Sequence, residues 1–358
     1  MTITRQFDDV VFFATDATYL PTAWVAARQA ASEPGRQFDV VLLVEKGLAA
    51  GRLAPPDGCQ MLEIALPAEV AGWPSADHMS RFAYARLAAP DCWLQGYRRA
   101  LYLDSDIAIM GPLAPLLALE MGDAIVAMAE DCGQYLRGDD EQAAWRGYRA
   151  GLGQDPQARY FNSGVILFDL RRWQAQRCWP RAVDYVTRHR DALRFMDQDA
   201  LNCVTAGQVR EISPRWNFQT HYFGLAQEGV IAPRIVHYLD ILKPWRDPEW
   251  RQLYDAGHGL RFARLFAQSP WPDYVHPALY RASSLLWPGW RLARVAMAGA
   301  AGRKVSAGAI THHVRRFRAM AAPLDARIRR GFAESLSRGC YGDLAPAEAD
   351  RWRRALQS

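Results

Sequence analysis

Asp104-Ser105-Asp106 sets two carboxylates one residue apart, after the apolar run Ala100-Leu101-Tyr102-Leu103 and before a second, Ile107-Ala108-Ile109-Met110. On extended backbone, side chains two apart point the same way, so the spacing predicts a strand end whose two acids hold one hard divalent cation. A clamp of this kind commonly serves a phosphate-bearing substrate, whose charge Mg²⁺ or Mn²⁺ neutralises. The same short pattern also caps turns or sits solvated, so its meaning depends on the residues around it.

The elements that must position such a pair read as alternating strands and helices, the pattern of an α/β sheet covered by helices. Strands are expected at Asp9 to Ala14, Phe38 to Val44, Gln60 to Leu66, Ala100 to Leu103, Asp123 to Ala129, Tyr160 to Leu170 and Arg234 to Tyr238. Helices are expected at Leu20 to Ala31, Ser80 to Ala89, from Arg171 past Trp173, and at Asp197 to Thr205. The Gly-, Gln- and Asp-rich stretch from Cys132 to Arg159 reads as loop and helix over one edge of the site.

With 358 residues, half of them apolar, the chain can bury a full core, and one large domain with an appendage is the natural division. The six cysteines form no C-x-x-C pair, which argues against a zinc cluster or a disulfide framework and suits a reducing, cytoplasmic setting. No secretory pattern and no long uncharged apolar run is present, so no membrane span is expected. The net charge of +5 is uneven: residues 281–358 carry 15 Lys and Arg against 5 Asp and Glu, behind a body of net −5.

Seven blocks then occur in order: F-A-T-D-A-T-Y at 13–19, Y-A-R-L at 84–87, L-Y-L-D-S-D at 101–106, Y-F-N-S-G-V at 160–165, M-D-Q-D-A-L-N at 196–202, R-W-N-F at 215–218 and H-Y-x4-K-P-W at 237–245. Across roughly residues 9–250 the chain thereby resembles the family 8 glycosyltransferases, the group of glycogenin and the bacterial lipopolysaccharide galactosyl- and glucosyltransferases. The resemblance implies a GT-A fold, a Rossmann-like mixed sheet flanked by helices, over residues 1–265, and the charge pattern reads 266–358 as a basic, mainly helical extension. The resemblance also implies transfer of galactose or glucose from a UDP-sugar to a glycan, such as lipopolysaccharide, with retention of configuration.

On the matching positions, the resemblance assigns Asp104, Asp106 and His237 to the metal. A mixed carboxylate and imidazole set suits Mn²⁺ better than Mg²⁺. Lys243 is matched to the lysine that reaches the diphosphate, a point charge able to stabilise the departing UDP. Asp16 and Tyr19 match positions on the uracil, and Ser105 falls within the donor-binding set. Arg86, Asn162, Asp197 and Gln198 match positions that hold the donor sugar. Gln198, an amide and a poor nucleophile, is placed near the β-face of the anomeric carbon, which favours front-face substitution over a covalent intermediate.

The chain departs from the family pattern at Ala17-Thr18, where an acidic residue and Asn are usual, and at Asp240, where Gly is usual. A carboxylate at 240 would repel diphosphate unless turned away. Two other classes fit parts of the chain. A haloacid-dehalogenase-like phosphohydrolase also sets D-x-D after an apolar strand, but normally on the first strand and with Thr or Val where Ala108 stands. A donor-free binding protein would instead rely on the tail, in which Arg291, Arg294, Arg303, Lys304, Arg315, Arg316, Arg318, Arg327, Arg329 and Arg330 interleave with Trp287, Trp290 and Phe317. No nucleic-acid motif accompanies these residues, whereas an anionic membrane surface suits such a mixture.

Overall fold

The computed structural model describes residues 3–48, 53–75, 80–137, 139–223, 228–239, 243–246, 256–274 and 324–357. Among these residues, ten strands form two sheets. The larger has the order β3 (Gln60–Ile64), β2 (Asp39–Glu45), β1 (Asp9–Thr15), β4 (Arg99–Leu103), β7 (Phe161–Asp169), β6 (Val126–Glu130), β8 (Val209–Glu211). β1, β2, β3 and β4 run parallel, and β7 is antiparallel to both β4 and β6. A small sheet places β10 (Ile235–His237) between β5 (Ile107–Ile109) and β9 (Phe218–Gln219).

β1 explains the layering. All seven of its residues are buried, with Val11 and Phe13 in one apolar cluster and Val10 and Phe12 in the other. A period-2 strand that is apolar on both faces has to lie between two helical layers. The Leu20–Ala31 helix covers the first face, starting with Pro21 in its first turn and packing Ala23, Ala26, Ala27 and Ala30 against the sheet. The Cys178–His189 helix buries Trp179, Ala182, Tyr185 and Val186 on the other.

The elements read from the sequence recur within one to three residues at most ends. One differs in kind: the span 80–89 opens as a tight turn at Arg81–Tyr84 before the Ala85–Cys92 helix. The expected clamp on extended backbone is also corrected. Asp104, Ser105 and Asp106 lie on a turn between β4 and β5. The chain bends there because β5 leaves the large sheet to pair with β10, and Tyr238 N donates to Asp106 O at 3.0 Å to fix the bend.

The last described segment joins the core. A helix over 324–337 buries Leu324, Ile328, Phe332 and Leu336, a stripe of spacing four, and the Pro346–Gln357 helix buries Trp352 and Leu356. The tail residues 281–323 and Asp240 lie outside the described residues. All six cysteines are free, and among the described residues no helix is long and apolar enough to cross a membrane.

Candidate active site

β1 and β4 are parallel neighbours, so their carboxyl ends open on the same edge of the sheet, where ligands of open α/β sheets bind. At that edge Asp104, Asp106 and His237 each offer a ligand atom within 4.8 Å of the others, and among the described residues they are the one such group of three. His237 Nε2 lies 3.2 Å from Asp106 Oδ1 and 3.5 Å from Asp104 Oδ2. Room for this approach comes from Gly164. A Cβ there would sit 2.0 Å from His237 Cε1 and 2.8 Å from Asp104 Oδ2.

Hydrogen bonds fix which nitrogen of His237 faces the acids. Asn162 Oδ1 accepts from Gly164 N at 3.0 Å, so the Asn217 atom 2.8 Å away must be its Nδ2 donor. Asn217 therefore turns its Oδ1 to His237 Nδ1, 2.9 Å away, and Nδ1 carries the proton. Nε2 is left facing the two carboxylates, the nitrogen a metal held by them would take. Donor chemistry, room and tautomer all fit a divalent cation.

Two buried cations hold the acids. Lys243, only 4% exposed, sets Nζ 2.7 Å from Asp106 Oδ2 and also donates to Tyr238 O. Burial raises the Asp106 pKa, but Lys243 and His237 outweigh it and hold the carboxyl below its usual range. Arg86, 7% exposed, pairs with Asp104 at 2.9 Å and Asp197 at 3.3 Å, donates to Ser163 O and Oγ at 3.0 Å, and lies over the Tyr102 ring. Taken alone, Arg86 and Lys243 read as surface charges. Both are interior because each meets acids that would otherwise be buried unpaired.

Asp197 and Gln198 open the Met196–Val204 helix, entered through Met196 at a φ of 45°, a left-handed conformation costly for a long side chain. Burial pushes the Asp197 pKa up to about 6 against the opposing charge of Arg86. Gln198 has its amide fully engaged. Oε1 accepts from Ser163 N at 3.0 Å and Asn162 Nδ2 at 3.2 Å, and Nε2 donates to Asp131 Oδ2 at 3.2 Å. Asp131 also accepts from Asn162 Nδ2 at 3.0 Å, which joins it to the site.

Asp16 closes a turn after β1, its Oδ1 accepting from Thr18 N and Tyr19 N at 2.9 and 3.3 Å. Tyr19, half-buried, lies close enough to Lys243 and Asp106 to feel both charges. Ser105 is buried on the turn between the two acids, whereas Ala17 and Thr18 are exposed. Every site residue read from the sequence thus falls on one edge of the fold. Sequence reasoning missed three more. Gly164 and Asn217 stood inside recognised blocks without a role, and Asp131 stood in a stretch with no motif.

A sheet with this topology, with an Asp-Asp-His cluster at its carboxyl edge, is the GT-A fold. The model of the family "Glycosyl transferase family 8" matches residues 63–249, and the chain belongs to that family. It is 30% identical over 209 residues to the lipopolysaccharide glucosyltransferase WaaO of Escherichia coli K12, covering 56% of this chain and 58% of that protein. It is 30% identical over 185 residues to general stress protein A of Bacillus subtilis, covering 48% of this chain and 61% of that one. The match thus spans about three fifths of these curated relatives. A crystal structure of the galactosyltransferase LgtC with donor and acceptor sugar analogs superposes with a TM-score of 0.57 at 25% identity, over 73% of this chain and 96% of that chain. The phosphohydrolase alternative falls with these findings, since the acids follow the fourth strand of a glycosyltransferase sheet.

Proposed function

We propose that the protein is a retaining hexosyltransferase that moves galactose or glucose from a UDP-sugar to a glycan acceptor of the lipopolysaccharide or cell-surface class, assisted by Mn²⁺. The observation that carries the reading is the Asp104-Asp106-His237 cluster with Arg86, Asp197 and Gln198 beside it, in a chain of this family. Asp104, Asp106 and His237 Nε2 would hold the metal, with imidazole favouring Mn²⁺ over Mg²⁺. When bound, the metal supplies positive charge against the diphosphate.

Lys243 adds a second charge toward the leaving group, Asp16 and Tyr19 receive the uracil at the end of β1, and Ser105 lies in the donor set. Arg86, Asn162 and Asp197 orient the sugar. Gln198, with both lone-pair directions of Oε1 already engaged, supports attack by the acceptor hydroxyl on the face that UDP leaves rather than a covalent intermediate. The tail adds a contact with an anionic membrane surface at the inner leaflet, since residues 281–323 contain eight Lys and Arg and no Asp or Glu.

Calorimetry of UDP binding with and without Mn²⁺, on the parent and on Asp104→Ala/Asp106→Ala, tests the reading. Metal-dependent binding lost in the double variant is the expected result, followed by release of hexose from UDP-galactose or UDP-glucose. No UDP binding by the parent under any metal would overturn it. Sedimentation with anionic vesicles at low salt tests the tail separately.

A further inference from the structure

Asn217, which fixes the His237 tautomer, follows directly on the Ser213-Pro214-Arg215-Trp216 turn. The side chains of that turn are held by residues more than a hundred positions later. Asp343 accepts from Ser213 N at 2.8 Å and Ser213 Oγ at 2.5 Å on its two oxygens, and from Trp216 Nε1 at 3.1 Å. Glu348 pairs with Arg215 at 2.9 Å, and Trp352, fully buried, lies beneath the Arg215 guanidinium. Arg234 N, just before β10, donates to Arg215 O at 2.7 Å, so the turn is tied to the strand that delivers His237. Ser213, Trp216 and Asn217 are themselves buried, so the turn has little room to settle elsewhere.

We infer that Asp343 is a positioning residue for the metal site, acting through the Ser213–Trp216 turn and Asn217 to hold His237 Nε2 toward Asp104 and Asp106. The last segment of the chain is then part of the site's construction and not a mere appendage. This rests on the reading of Asp104, Asp106 and His237 as metal ligands. Partners one step behind a ligand commonly set metal affinity by ten- to a hundred-fold, and Asp343 stands one step further back. Its three accepted hydrogen bonds act on one turn. Loss of that turn leaves Asn217 with Asn162 as its remaining side-chain anchor, and a ligating imidazole is only as well aimed as its Nδ1 partner.

The test uses the full chain without nucleotide. Mn²⁺ affinity is measured by electron paramagnetic resonance, and the visible spectrum of the Co²⁺-loaded protein reports ligand geometry. Asp343→Ala is expected to weaken Mn²⁺ about five- to ten-fold and to alter the Co²⁺ spectrum, while Asp343→Asn, which keeps one acceptor, recovers part of both. If Asp343→Ala fails to fold, Trp216→Phe, which removes one donor and keeps the ring, carries the test with a loss of about two- to three-fold. A folded Asp343→Ala with a lowered melting temperature but parental Mn²⁺ affinity and Co²⁺ spectrum would overturn the inference and leave the metal site standing. A parent that binds no Mn²⁺ would overturn the metal site, and the inference with it.

Discussion

Two clusters of acids lie one on each side of β7, and the pKa values of the half-buried Asp106 in one and Glu130 in the other shift in opposite directions. At the site, Asp104, Asp106 and Asp197 face two fixed cations, Arg86 and Lys243, with His237 alongside. Under the last segment, Glu130 and Glu211 share Arg159, their one ion-pair partner among the described residues, Glu130 at 3.4 Å, and Glu130 also accepts from Tyr135 Oη at 2.5 Å. Asp106 is held below the usual carboxylate range, whereas burial, only partly offset by Arg159, drives Glu130 up to about 7. Asp106 and Glu130 are both half-buried, so the difference lies in each one's share of the nearby cations. Enough of them keep an acid ionised and ready to exchange its partner for a metal. One too few lets the acid take a proton and serve as packing.

Removing the cation from each cluster breaks the comparison most sharply. Arg86→Met leaves Asp104 and Asp197 buried together without their shared partner, a loss of about 3–5 kcal/mol, read as a large fall in urea midpoint. Mn²⁺ restores part of the difference from the parent, because bound at Asp104 it supplies the opposing charge that Arg86 gave. An unchanged midpoint would mean that Arg86 does not offset the acids. Arg159→Met is expected to cost less, about 1–3 kcal/mol near pH 6, because Glu130 answers by binding a proton. Its cost grows toward pH 8, and Mn²⁺ does not relieve it. Equal costs at the two pH values would sink the contrast.

How much of this could be read in advance follows from the range of the contacts. The alternation of Val10, Val11, Phe12 and Phe13 states locally that β1 is buried on both faces, and the Leu20–Ala31 helix carries its own small-residue face. The metal acids are neighbours in sequence. Asp131 meets Asn162 and Gln198 across 31 and 67 positions, and nothing in Glu-Asp-Cys-Gly announces that. Arg86 and Lys243 were assigned by resemblance, but their burial became legible only once the acids opposite them were placed. In the last segment, the four-residue stripe from Leu324 to Leu336 was obscured by the density of arginine around it.

The smallest expected effect isolates Glu130 alone. Its folded pKa of about 7 lies above the ordinary 4.5, so between those values the folded chain binds the proton that the unfolded chain has released. The stability it contributes is full below pH 4.5 and declines as pH rises through 7. Glu130→Gln keeps an acceptor for Tyr135 Oη and cannot ionise. It should match the parent near pH 5 and exceed it by about 1–3 kcal/mol at pH 8, in urea unfolding at both. Other titrating groups are common to both chains and cancel in the difference. A difference that stays flat between pH 5 and pH 8 would mean that Glu130 remains ionised throughout, and that one arginine is enough to hold two glutamates.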